Sequence, residues 1–193
     1  MSAFKTYMLI ALVSFIYGCD TFSTGATALD LEKDFQSAVV EGIYSIKVPN
    51  YMSVSNDLSE EASLQYESLT KDAYLIVIDE NKAEFIEIFN ELDMLDSTKT
   101  ALENYTKYQR ESIASTMDVT SVSELREITI NGNEALMIQI DGGVPEVNTD
   151  VTYLLAVIQG NANLYSVLYW TTKEQAKKML PHFEQSIHTF QDL

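Results

Sequence analysis

Residues 73–78 read Ala-Tyr-Leu-Ile-Val-Ile, with no charged side chain at any position. A run of six is too short for a buried helix and far too short to span a bilayer, and its β-branched content suits an extended strand. Side chains alternate between the two faces of a sheet, so a strand that is apolar throughout presents apolar groups on both. It needs cover on both sides, which predicts a sheet lying between helices. A second constraint acts with it. The chain holds a single cysteine, Cys19, so no disulfide can close within it and the fold must stand on packing.

The remaining pattern fills in around that strand. A strand at 42–48 places Tyr44, Ile46 and Val48 on one face and Ser45 and Lys47 on the other, and Pro49-Asn50 ends it. A further strand fits 63–68. Helical spacing follows, with Phe85, Ile88, Phe89 and Leu92 in one stripe and Glu80, Glu84, Glu87 and Glu91 in another. A second helix fits 97–116. Leu102, Tyr105, Gln109, Ile113 and Met117 share its inner face, and Lys99, Glu103, Lys107 and Glu111 alternate in sign on its outer face. Strand 123–130 meets Asn131-Gly132, a strong hairpin signal, and 133–141 returns. Residues 142–148 make a looser connection, and 150–159 and 162–171 form another hairpin. A helix at 173–190 opens on Thr172 and Gln175 as a capping box, and Pro181 is expected to kink or split it. The fold class is α+β: an antiparallel sheet of about six or seven strands with helices packed on both faces.

Residues 1–18 are set apart by composition. Lys5 precedes an apolar run from Tyr7 to Tyr17, broken only by Ser14, and Ile16-Tyr17-Gly18-Cys19 closes it. The run is too short for a membrane span. The segment resembles the signal peptide and lipobox of bacterial lipoproteins. That resemblance implies cleavage after Gly18, acyl chains on Cys19, and a place on the cell membrane or outer membrane with the domain outside the cytoplasm. Residues 19–41 are then the lipidated cysteine and a tether, in which 29–40 can form a short helix, and the folded domain is 42–193.

Charge narrows the partners. With 12 basic and 29 acidic residues the chain carries a formal −17, and loss of Lys5 makes the processed chain more negative still. Nucleic acid is excluded on this count, because phosphate binding needs clustered lysine and arginine. Anionic headgroups repel such a domain as well, so membrane attachment is expected through the acyl chains on Cys19 and not through the protein surface.

The order of elements carries a second resemblance. A strand opening on Tyr44-Ser45-Ile46-Lys47-Val48-Pro49, a central apolar strand, a long helix, the Asn131-Gly132 hairpin feeding paired strands, and a helix ending Ser186-Ile187-His188-Thr189-Phe190 make the chain similar to the PsbP-like family over roughly 42–190. That family includes a photosystem II extrinsic subunit, a Ran-binding nuclear import factor and bacterial lipoproteins. The resemblance implies an antiparallel sheet between helices and a non-catalytic accessory or adaptor role.

No catalytic constellation stands out. His182 and His188 are six residues apart, and ligands on one helix face want a spacing of three or four. No Gly-x-Ser-x-Gly elbow is present. Asp141, Glu146, Asn148 and Asp150 gather oxygen atoms of the kind calcium uses, but their spacing matches no EF-hand loop, and an acidic connection is ordinarily solvated. No metal or cofactor is therefore expected, and the chain does not read as an enzyme. The stripe Glu80, Glu84, Glu87 and Glu91 is the candidate docking face for a basic envelope protein, against a solvated face as the plain alternative. Tyr153, Tyr165, Tyr169 and Trp170 suit a core, with an aromatic cleft for an apolar or sugar ligand as the alternative. Two readings of function follow: an anchored adaptor that binds another envelope protein, or a binder of a small ligand in a cleft between sheet and helix. An adaptor exposes an apolar or acidic patch, and a ligand binder encloses an apolar pocket.

Overall fold

Period-two alternation builds the strands and 3.6-residue spacing the helices of the computed structural model, which describes residues 29–145 and 148–193. In chain order the elements are β1 (Phe35–Val40), β2 (Tyr44–Pro49), β3 (Ser53–Val54), β4 (Leu64–Ser68), β5 (Ala73–Asn81), α1 (Lys82–Glu91), α2 (Ala101–Ser115), β6 (Asp118–Val122), β7 (Arg126–Ile130), β8 (Asn133–Val144), β9 (Thr149–Gln159), β10 (Asn163–Thr172), α3 (Lys173–Ile187) and β11 (Gln191–Asp192). The large sheet runs β3-β4-β5-β10-β9-β8-β6, with β7 pairing β8 beside β6, so that it holds eight strands. A second sheet has three, in the order β1-β2-β11. Every pairing is antiparallel.

The sandwich expected from residues 73–78 is present. One face of the large sheet buries Leu75, Val77, Val167 and Tyr169 against Met179, Phe183 and Ile187 of α3 and against Tyr44, Ile46 and Val48 of β2. The other buries Leu136, Ile138, Leu155 and Val157 against Leu102, Tyr105 and Ile113 of α2 and Phe85 of α1. Helices thus lie on both faces. Polar pairs tie the first face together: the Tyr169 and Ser186 hydroxyls meet at 2.6 Å, Ser186 donates to the Lys47 carbonyl, and the Lys47 N–H donates to Thr189 at 2.8 Å. α3 is in this way fixed to β10 and to β2.

Turn chemistry follows the residues. Asn131 and Gly132 both take positive φ, 47° and 89°, and close the β7–β8 hairpin. At Gly142 a side chain has no room, because an added Cβ would lie 2.5 Å from the Asp118 carbonyl oxygen where β6 crosses β8.

Four expectations need correction. The stretch 29–40 is not a helix within a tether ending at 41: Phe35–Val40 pairs with β2 along its whole length, and Phe35 and Ala38 are buried. The edge of β2 offers backbone groups that need partners, and this tertiary demand overrides the spacing of Leu31, Phe35 and Val39. Thr172 makes no side-chain cap; the capping box of this chain is Thr100 with Glu103, ahead of α2. Pro181 does not split the terminal helix, since α3 is continuous through it, and both Pro181 and Lys177, whose carbonyl loses its N–H partner, are exposed residues. Finally, 123–130 is not one strand. Only Arg126–Ile130 of it is strand, as β7, and an unforeseen strand ahead of it, β6, pairs the other end of β8, which is part of why the sheet exceeds seven strands.

Candidate functional site

Asn81 decides where α1 begins. Its side-chain oxygen accepts from the Ala83 and Glu84 N–H groups at 3.0 and 3.1 Å, while β5 runs up to Asn81 itself. Glu80 is therefore a strand residue and not the first member of a helical stripe. Glu84, Glu87 and Glu91 do share an exposed face of α1. Beside them the apolar stripe is only partly used. Phe85 is buried and Phe89 packs on Tyr108, but Ile88 and Leu92 are 52% and 61% exposed, and Met94 just beyond the helix is 54% exposed. A groove of about 250 Å³ between the end of β5 and α1 carries Glu84, Ile88 and Phe89 on its wall.

A second feature lies on the same side of the sheet. α2 covers β8 and β9 but leaves the outward-facing row of β5 and β10 half open, so that Tyr74, Ile76 and Ile78 are only partly buried. The opening is a trough of about 360 Å³. Ile76, Ile78 and Leu168 form its floor, Tyr108, Gln109 and Ser112 of α2 form one wall, and the loop at Leu58–Glu61 forms the other. Trp170 and Tyr153 close one end and Glu80 the other. Trp170 stands opposite Tyr74 on β5 and Tyr153 on β9. The Tyr74 ring stacks on it at 5.2 Å and 14°, and Tyr153 lies at 6.0 Å and 34°. Neighbouring rings thus flank it on both sides, and it offers the trough an edge.

The polar end is unusual. Burial pushes the Glu80 carboxyl above the ordinary carboxylate range; the Tyr105 hydroxyl opposes this, and Glu61 and Asp79 add to it as like charges. Tyr105 is fully buried, and its hydroxyl faces Glu80 and Gln109 at a geometry short of a full hydrogen bond. A carboxyl with a higher pKa folded than unfolded holds its proton more tightly in the folded state. Its stabilising contribution is complete below the unfolded value near pH 4 and is lost as pH rises through the folded one. Glu80→Gln is accordingly expected to melt higher than the parent at pH 7.5 and to lose that advantage by pH 4. Thermal melts across that range check it, and an advantage that does not change with pH would contradict the assignment.

The other sequence candidates are dispersed. His182 packs between Phe35 and Tyr51, its pKa lowered by burial, while His188 is exposed beyond the end of α3. Asp141 accepts from Thr152 at 2.6 Å, and Asp150 lies 3.8 Å from Lys173. Asn148 takes a positive φ of 48° in the turn before β9, and Glu146 and Cys19 lie outside the described residues. Among the described residues no three His, Cys, Asp or Glu side chains cluster as a metal site would need. Tyr165 and Tyr169 belong to the α3-side core, and only Tyr153 and Trp170 reach the trough.

The strand order and its two layers of helix decide the fold. The fold is PsbP-like. A cyanobacterial PsbP from Synechocystis superimposes with a TM-score of 0.53 at 14% identity, over 83% of this chain and 93% of that one. LpqN of Mycobacterium tuberculosis, described as involved in cell envelope biogenesis, gives 0.52 at 10% identity over 83% and 92%. A Bacteroides thetaiotaomicron protein gives 0.51 at 10% over 83% of this chain and 49% of its own. No protein-family model matches the chain, and no curated protein matches it by sequence. At such identities the PsbP-like likeness extends to architecture alone. Of the trough, the sequence names Tyr153 and Trp170 as an alternative aromatic cleft, and what it missed is the floor at Ile76 and Ile78, the wall at Leu58–Glu61 and the polar end at Glu80. A signal for the polar end was Tyr105 and Gln109 on the inner face of α2, polar atoms on a face that otherwise reads as core.

Proposed function

We propose that this chain is a non-catalytic envelope lipoprotein, held to a membrane by acyl groups on Cys19, whose α1 face docks a basic envelope protein. The observation that carries the reading is the incomplete burial of α1. Ile88, Leu92 and Met94 remain exposed in a contiguous stretch, and a short helix would ordinarily bury such a stripe. Glu84, Glu87 and Glu91 run along one side of it. An apolar strip edged by carboxylates suits a partner surface of apolar side chains edged by lysine or arginine. The lipobox resemblance at Ile16–Cys19 and the description of LpqN support the envelope. No helix of the described residues is long and apolar enough to cross a membrane.

The test is a charge reversal, Glu84→Lys with Glu87→Lys. Partner association is expected to slow and to lose much of its salt dependence, because exposed charges steer encounter more than they hold a complex. Stability should stay within about 1 kcal/mol of the parent, since exposed pairs contribute little and these residues repel one another at helical spacing. In-cell crosslinking and mass spectrometry read the outcome. The same co-purifying proteins at the same yield would return α1 to a solvated surface helix.

A further inference from the structure

We propose that the trough between α2 and the Leu58–Glu61 loop binds an amphiphilic amine, a single apolar chain carrying one cationic head, with the chain on Ile76, Ile78 and Leu168 and the head at Glu80. This goes beyond the docking role assigned to α1 and does not depend on it.

The shape sets the first limit. At about 360 Å³ the trough lies at the lower end of small-molecule sites. Its floor follows β5, and from the row of Tyr74 to Glu80 the strand rises about 20 Å. A floor of Ile76, Ile78 and Leu168, interrupted by Ser166 opposite Ile78, follows the strand and suits an extended chain better than a compact ring. The aromatic end sets the second limit. Sugars rest on an open aromatic face, but Trp170 has Tyr74 on one side and Tyr153 on the other. It can pack its edge against a hydrocarbon end and offers no platform for stacking. The polar end sets the third. Glu80 and Glu61 both line the trough, and the fully buried Tyr105 hydroxyl faces Glu80 from beneath α2. A half-buried carboxylate with a second carboxylate on the same wall gains from a cation placed between them. An anionic head such as a fatty carboxylate meets repulsion at the same spot. In that arrangement Glu80 accepts from the ammonium group, which relieves the unfavourable pairing with Glu61.

Trp170 is the sole tryptophan of the chain, so its emission reports on the trough without a label. The experiment uses the full chain with Cys19→Ala, which needs no detergent, titrated with decylamine, decanoate and decyl glucoside below their micelle concentrations. Decylamine is expected to shift Trp170 emission to shorter wavelength saturably, with affinity at least tenfold above that of the other two. Glu80→Gln should weaken decylamine about tenfold, and Glu61→Gln should move it the same way. Should Glu80→Gln fail to fold, Glu61→Gln on the exposed loop carries the test alone. Glu84→Lys with Glu87→Lys should leave binding unchanged, which separates the trough from the general acidity of the surface and from the α1 docking reading. The proposal is overturned by no saturable response, by equal affinity for all three heads, or by an unchanged decylamine affinity in both the Glu80 and Glu61 variants.

Discussion

Phe190→Ala is expected to lower the stability of the domain by about 3–5 kcal/mol, the range for removing a large aromatic side chain from a packed core. Phe190 is fully buried. Its ring stacks on Tyr44 at 5.2 Å and packs against Tyr165 at 4.8 Å, so three aromatic residues from β2, β10 and the link between α3 and β11 share one cluster. The backbone is tied there too, since Asn131 donates to the Phe190 carbonyl at 2.7 Å. A void between two fixed sheets closes poorly, and the loss is expected at the upper part of that range. Domains of this size are stable by only about 5–15 kcal/mol, and the corresponding fall in melting temperature is on the order of 10 °C. Chemical denaturation with an unchanged m-value checks it. A loss under about 1 kcal/mol would show that the three-stranded sheet is loosely attached.

The Cys19→Ala chain is expected to leave the membrane fraction or to persist as an uncleaved precursor, because the thiol is the acyl acceptor in the proposed processing. The effect should be close to complete. With a formal charge of −17 the surface has no second hold on anionic lipid, and one lost anchor is not compensated. Fractionation and intact-mass measurement read both arms. A processed chain still sedimenting with membranes would refute the lipidated anchor.

The sequence discloses unequal amounts of the fold and of the site for identifiable reasons. Elements with a buried face were legible: Tyr44, Ile46 and Val48 alternate as a half-buried strand does, and Leu102, Tyr105, Gln109 and Ile113 on α2 are buried as expected, as is Met117 just beyond its end. What misled was an element whose state depends on a distant partner. Nothing local marks Phe35–Val40 as a strand; it is one because β2 lies beside it. Glu80 failed in another way. Its spacing to Glu84 is helical, and only the Asn81 cap, which delays the start of α1 to Lys82, separates the two. The trough was illegible for a third reason. Tyr74, Ile76 and Ile78 look like core from their identities, and whether α2 reaches far enough to cover them is a matter of packing between elements distant in sequence.

The three-stranded sheet bears on how such a chain can be made. β2 pairs with β11, with Tyr44 opposite Asp192, and the Leu193 N–H bonds to the Ile43 carbonyl. β2 thus emerges with β1 alone beside it, and its other edge stays open until the residues near 190 have followed. Until then Tyr44, Ile46 and Val48 have neither α3 nor β11 to cover them. Pairing over such a separation is slow to form, and a nascent chain in that condition holds apolar strands open to chaperones. For a protein read as exported this is an advantage. A secretion channel that takes only unfolded polypeptide would meet this chain before β2 and β11 could join, and the late strand β11 would close the fold on the far side.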